Sequence, residues 1–132
     1  MSIALEVFEI ASRDKSAHRA IVVEDDESGL FSIDGRVIDP ALYATSHSAF
    51  TALQEFRRLL RSRGLDVRCY GAMPNVYPSP MMRSGTRAYR LEMGKPATMN
   101  MVVDIFDYVD VHSDSSVDQQ DGFYKEWLAS LD

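Results

Sequence analysis

The residues of this 132-residue chain whose types and spacing reach furthest beyond packing lie in one stretch, YGAMPNVYPSPMMRSGTRAYRLEMGKPA, positions 70–97. Three of the five prolines, Pro74, Pro78 and Pro80, fall there. Each removes a backbone donor and restricts the residue before it, so no helix or interior strand runs through them. Residues 75–86 are too long and too rich in tyrosine, methionine and arginine for a simple connector, and long ordered loops in compact domains tend to carry function. Tyr77, Met82 and Arg83 have the chemistry of a binding hot spot, because tyrosine and arginine dominate such spots and methionine adapts to a partner's shape. Arg83, Arg87 and Arg90 are a different candidate set, guanidinium groups that could hold an anionic ligand bidentately in a pocket roofed by residues 73–86. The packing alternative is that Val76, Tyr77 and Met81 fold back as a lid over the core, with Asn75 and Ser79 in turn hydrogen bonds.

Other chemistries find less support. Cys69 sits in an alternating segment, where a small, buried, inert residue is the common case, and no base adjoins it. His18, His47 and His112 are scattered, with none at a ligand spacing such as HxH or HxxxH. Asp104, Asp107, Asp110 and Asp114 could gather carboxylates, but no calcium-loop pattern with its central glycine is present. Dinucleotide, phosphate-loop, zinc-protease and serine-hydrolase signatures are all absent. No catalytic residue, metal or cofactor is therefore assigned, and a binding protein is favoured over an enzyme.

Charge is divided along the chain. The net charge is −6, which argues against nucleic acid as the main ligand. Residues 57–95 carry nine basic side chains against two acidic, net +7, and residues 104–132 carry one against eight, net −7. The simplest expectation is that these halves neutralise each other within the fold. The sharper one is a polarised surface on which Asp104, Asp107 and Asp110, with Glu24 and Asp25, meet a basic protein partner. Length and a 45% hydrophobic content fit a single domain, residues 1–132, able to bury a core without metals or disulfides. No apolar run approaches the roughly 20 residues a membrane span needs. The opening MSIALEVFEI has no basic region of a signal peptide. A lone cysteine suits a reducing, cytoplasmic setting.

The elements that would position these residues follow from periodicity. Residues 5–10, 20–23 and 30–33 read as strands, separated by a polar turn at 12–17 and an acidic turn at 24–28. Asp34-Gly35 carries a two-residue hairpin signal leading to a strand at 36–38. Asp39-Pro40 reads as a capped helical turn. Ser48 caps an amphipathic helix whose apolar stripe is Ala49, Leu53, Phe56, Leu59 and Leu60, with Gln54, Arg57, Arg58 and Arg61 opposite and Gly64 at its end. Strands are expected at 65–70 and 88–93; over 99–111 helix and strand are hard to separate, with strand composition favouring a strand at 101–106, and a turn follows at 112–115. Ser116 and Gln119 form a capping box for a terminal helix striped by Val117, Tyr124, Trp127, Leu128 and Leu131. The fold class expected is α+β, a mostly antiparallel sheet with one central amphipathic helix and a C-terminal helix.

The run from Cys69 to Ala97, followed by Val102-Val103-Asp104-Ile105-Phe106-Asp107, resembles small bacterial proteins in which a VYPSGM-like loop precedes a glycine-containing segment, an AYxLxxGK strand and a VDIFD strand. These are similar to immunity-type proteins associated with polymorphic toxins. This chain has Pro80 where that pattern has glycine, and a shortened segment around Ser84-Gly85. The resemblance implies a non-enzymatic cytosolic binder that neutralises a toxin domain.

Overall fold

Branched and aromatic residues alternating with polar ones make the first half of the chain a meander. A computed structural model describes residues 2–111 and 114–132. In it, β1 (Ser2–Glu9), β2 (Lys15–Glu24), β3 (Phe31–Asp34) and β4 (Tyr43–Ser46) lie side by side. A further strand, β5 (Leu65–Val67), joins the free side of β1, giving the order β4-β3-β2-β1-β5 with antiparallel pairings. Leu5, Val7, Ala20, Val22, Phe31, Ile33, Ala44 and Val67 bury one face of this sheet, while Ile21 and Val23 point to solvent. The buried face is covered by α1 (Ala49–Arg61) through Phe50, Leu53, Phe56 and Leu60. The Ser48 hydroxyl accepts from the Thr51 amide at 3.3 Å, and Gly64 ends the turn beyond the helix at φ +73°.

The second half builds a smaller sheet from β6 (Val76–Tyr77), β7 (Arg87–Arg90) and β8 (Val102–Asp104), in that order and again antiparallel. The chain closes with α2 (Val117–Ser130), whose capping box is formed as the sequence suggests. Ser116 Oγ accepts from the Gln119 amide, and Gln119 Oε1 accepts from the Ser116 amide. The fold is α+β, as expected, though its antiparallel strands divide into two sheets. Among the described residues, no helix is long and apolar enough to cross a membrane.

Four local expectations are corrected. The two-residue hairpin at Asp34-Gly35 does not form, and residues 36–38 are a turn; the partner of β3 is β4, which the sequence reading missed. Gly35 lies outside the left-handed region that a type I′ turn requires. The Asp34 carboxylate instead accepts from the Arg36 amide at 2.9 Å, a local turn that lets the Gly35 amide reach Leu42 O at 2.8 Å. Glycine is needed there because a Cβ would stand 2.8 Å from Phe56 Cζ. Secondly, β2 begins at Lys15, inside the expected polar turn, since Phe8 and Lys15 remain register partners beyond a bulge in β1. Thirdly, β8 is shorter than 101–106, because the Asp104 side chain accepts from the Phe106 amide and turns the chain. Fourthly, the strands expected at 65–70 and 88–93 end at Val67 and Arg90. The expected turn at 112–115 begins at His112 and Ser113, which lie outside the described residues.

Gly71 follows β5, where a short 3-10 turn (Tyr70–Ala72) crosses α1. A Cβ at Gly71 would lie 2.3 Å from Leu53 Cδ2 and 3.1 Å from the backbone oxygen of Ile105. Gly71→Ala is expected to destabilise by about 1–3 kcal/mol through overpacking. Gly122→Ala, in the open interior of α2 with no neighbour near the added methyl, is expected to stabilise by up to about 1 kcal/mol. Urea unfolding of the two variants checks both signs.

Candidate binding site

An arginine in the middle of α1 sets the geometry of the second half. Arg57 is 0% exposed. It lies on the apolar side of the helix and not, as its charge suggested, on the solvent side, and Gln54 is buried with it. A buried guanidinium must fill its donors. Arg57 Nε and Nη2 each reach Asp66 at 3.0 Å, on β5. Its Nη2 also donates to Ser115 O at 2.6 Å, and its Nη1 to Gln120 Oε1 at 3.3 Å. Arg61 Nη1 adds a second cation to Asp66 at 2.7 Å and reaches Asp114 through Nη2 at 2.6 Å. These contacts tie α1, β5 and the start of α2 together.

From there the network passes into the proline-rich loop. The buried Gln120 amide nitrogen lies 2.8 Å from Gly71 O and 3.0 Å from both Met73 O and Val76 O. It thus satisfies carbonyls that an irregular segment leaves without ladder partners. Asp121 Oδ1 accepts from the Tyr77 hydroxyl at 2.8 Å and from Gln54 Nε2 at 2.9 Å. Burial above all, and then the Asp121 carboxylate, push the Tyr77 phenol above its ordinary pKa, so the proton stays on Tyr77. The Tyr77 ring stacks on Tyr124 at 4.2 Å and meets Phe50 edge-on at 4.9 Å. The Arg83 guanidinium lies 5.5 Å from the Tyr77 ring centre and 5.8 Å from that of Phe50.

With its base fixed in this way, the loop presents a different set of side chains outward. Pro80 opens a 3-10 turn over Pro80–Ser84, and at its tip Met81 is 91% exposed. Val76 is buried and Tyr77 half-buried, as a lid would have them, but Met81 does not join them. Met82 and Arg83 are half-buried beside it. Met81, Met82, Thr86, Arg87, Met99 and Val102 line a surface groove of about 370 Å³. Arg87, Met99 and Val102 also line an adjoining one of about 380 Å³ that ends at Asp104. Met99, 73% exposed, went unnoticed in the sequence because nothing in its spacing separates it from a core methionine. Thr86 Oγ1 donates to Asp104 at 2.8 Å, holding the loop's exit against β8.

The remaining candidates separate. Asp104 is half-buried at the end of β8, Asp107 is exposed just beyond it, and Asp110 is held at 2.8 Å by Arg68. Arg68 is itself buried over the Phe8 ring at 4.1 Å, with Glu6 at 3.1 Å. The basic and acidic segments neutralise each other only in part: Arg58 faces Asp118 and Asp121, Arg61 pairs with Asp114 and Arg68 with Asp110, whereas Arg63 pairs with Asp39, outside the acidic segment. Glu24 ends β2, and Asp25 lies in the exposed turn after it. Arg83, Arg87 and Arg90 do not converge: Arg87 and Arg90, three apart in β7, project to opposite faces, and Arg83 is held against the aromatic rings. Cys69 is buried, and burial pushes its thiol up to about 12. Among the described residues, no group of three or more histidine, cysteine or acidic side chains is placed to hold a metal.

Arg57→Ala leaves the buried Asp66 with Arg61 as its one cation among the described residues and removes the donors to Ser115 O and Gln120 Oε1, and is expected to cost about 3–5 kcal/mol, whereas Arg58→Ala, at a largely exposed pair, is expected to cost under about 1 kcal/mol; thermal melts separate them. Cys69 is expected to resist alkylation at pH 8 until denaturant is added. The unfolded thiol ionises near about 8.5, so the contribution of its burial is present below that pH and is lost as pH rises from there toward the native value of about 12. Stability measured between pH 8 and 10 should therefore fall more steeply than in Cys69→Ala.

Compared with known proteins, the chain matches no family model, and no curated protein matches it.

Proposed function

We propose that this protein is a non-enzymatic, cytoplasmic binding protein of the immunity type, which neutralises a toxin domain by covering part of its surface. The observation that carries this reading is the pair of exposed methionines, Met81 and Met99, flanking a groove on a loop anchored from within. Large apolar side chains exposed together on a rigid base mark interaction sites, and thioether chains adapt to a partner at little conformational strain. Arg87 lies in the same groove and makes no ion pair among the described residues, so a partner carboxylate would find a free fork there. Tyr77 supports the surface from beneath, with Met82 and Arg83 at its margin. Asp104 at the end of the groove and the exposed Asp107 three residues on are the carboxylates a basic toxin domain would meet, with no cation paired to them among the described residues, whereas Arg68 already engages Asp110. The lack of convergence among Arg83, Arg87 and Arg90 weakens the anionic-ligand alternative, and the buried Cys69 offers no nucleophile.

Co-expression with the product of the gene neighbouring its own, assayed as a toxin, is the test. The wild-type protein is expected to protect the host and to bind the toxin domain. Met81→Asp with Met99→Asp is expected to weaken binding by about 30-fold or more, in keeping with hot-spot losses of about 2 kcal/mol, while the melting temperature stays within a degree or two of wild type. Absence of binding and protection by the wild type, or unchanged affinity in the double variant, would overturn the proposal.

A further inference from the structure

We infer a second binding site, distinct from the methionine groove, that takes one neutral aromatic ring between β7 and α2. Tyr77, Tyr89, Leu91, Tyr124, Trp127 and Leu128 enclose a cavity of about 250 Å³. Two rigid elements build it. Tyr77 and Tyr89 are register partners across β6 and β7, so they stand opposite each other on one face of the small sheet. Tyr124, Trp127 and Leu128 recur at three- and four-residue spacing and share one face of α2. The rings are already ordered without a ligand: Tyr77 lies on Tyr124 at 4.2 Å and 13°, and Tyr124 on Trp127 at 6.0 Å and 23°.

The class of ligand follows from what the walls offer. The Tyr77 hydroxyl is engaged with Asp121, and Trp127 Nε1 donates to Lys95 O at 2.9 Å. Two of the four amphipathic rings in the wall, Tyr77 and Trp127, therefore have their polar ends engaged by groups outside the cavity lining. Among the described residues no charged side chain lines the cavity, and its walls are almost wholly apolar. A cation would meet no carboxylate and an anion no guanidinium, so either would lose its hydration uncompensated. An uncharged ring loses little water and gains ring-to-ring contact. The volume lies below the roughly 300–1,000 Å³ of sites for larger organic ligands, which suits one ring or a fused pair. A free aromatic molecule and an aromatic side chain of a peptide share this chemistry.

The chain has one tryptophan, and it lines the cavity, so its fluorescence reports occupancy directly. Excited at the red edge, where simple phenols do not absorb, Trp127 is expected to respond saturably to p-cresol, with no saturable response to tetramethylammonium or benzoate. N-acetyl-phenylalaninamide separates the sources: binding at least tenfold tighter than p-cresol supports a peptide side chain, and binding no tighter supports a free molecule. Ala97, which also borders the cavity, becomes a plug in Ala97→Phe, and this variant is expected to lose the response. Leu128→Asp, at a side chain 45% exposed, is expected to weaken binding at least tenfold with the melting temperature retained. A response to the neutral rings that is linear and unsaturable, an equal response to the charged probes, or full binding in a folded Ala97→Phe would each overturn the assignment.

Discussion

Arg57 is a full positive charge placed where the helix should have an apolar side chain, and the second half of the fold is arranged to satisfy it. Asp66 alone would neutralise the charge, but a guanidinium has five donors, and those left over fix other elements. Ser115 O brings in the start of α2, and Gln120 Oε1 carries the connection one helical turn further. A buried pair of this kind contributes less to net stability than its short distances suggest, because desolvation offsets the Coulomb attraction. Its effect is on specificity: Arg57 holds α2 in the one position where Ser115 O and Gln120 Oε1 both reach the guanidinium.

That requirement explains the loop. Apart from the two residues of β6, prolines at 74, 78 and 80 leave residues 73–86 without the ladder bonds that would hold an ordinary strand connection, so carbonyls in and beside the loop need partners from elsewhere. The two amide hydrogens of Gln120 are shared among the carbonyls of Gly71, Met73 and Val76, and Asn75 exchanges hydrogen bonds with Leu91. The side chains nearest these anchors, Val76 and Tyr77, turn inward. Those one turn further out, at Met81 and Met82, are left at the surface over Arg87. The inward side of the same segment forms the aromatic cavity with α2, so a single set of buried polar contacts shapes both surfaces proposed to bind.

The sequence was most readable where local chemistry decides the outcome. Ser48, Gly64, Ser116 and Gln119 act within a few residues of themselves: both helices begin where their caps place them, and Gly64 closes the turn after α1. Three of the four meander strands, β1 to β3, were recognisable from their alternation and branched residues, and β4 was not. What escaped was decided by distant partners. Gly35 looked like a hairpin glycine but serves the approach of Phe56, and so the strand pairing was displaced to Tyr43–Ser46. Arg57 was assigned to solvent by its charge, although its position four after Leu53 and three before Leu60 placed it on the buried stripe. That spacing was the available signal. Gln120 and Met99 carried none, since nothing in a single sequence separates a glutamine bonded to three carbonyls, or an exposed methionine, from ordinary members of their elements.

Native-state hydrogen exchange tests the central claim most directly. If Arg57 and Gln120 make the proline-rich loop part of the core, the amides of Gly71, Leu91 and Ile105, bonded across this region, and that of Val76, bonded to Met73 O within the loop, will open with about the same free energy as the interior amides of α1. Exchange at those four positions faster by orders of magnitude, with α1 still protected, would mean that the loop is held only at its surface and would contradict its role as a rigid platform.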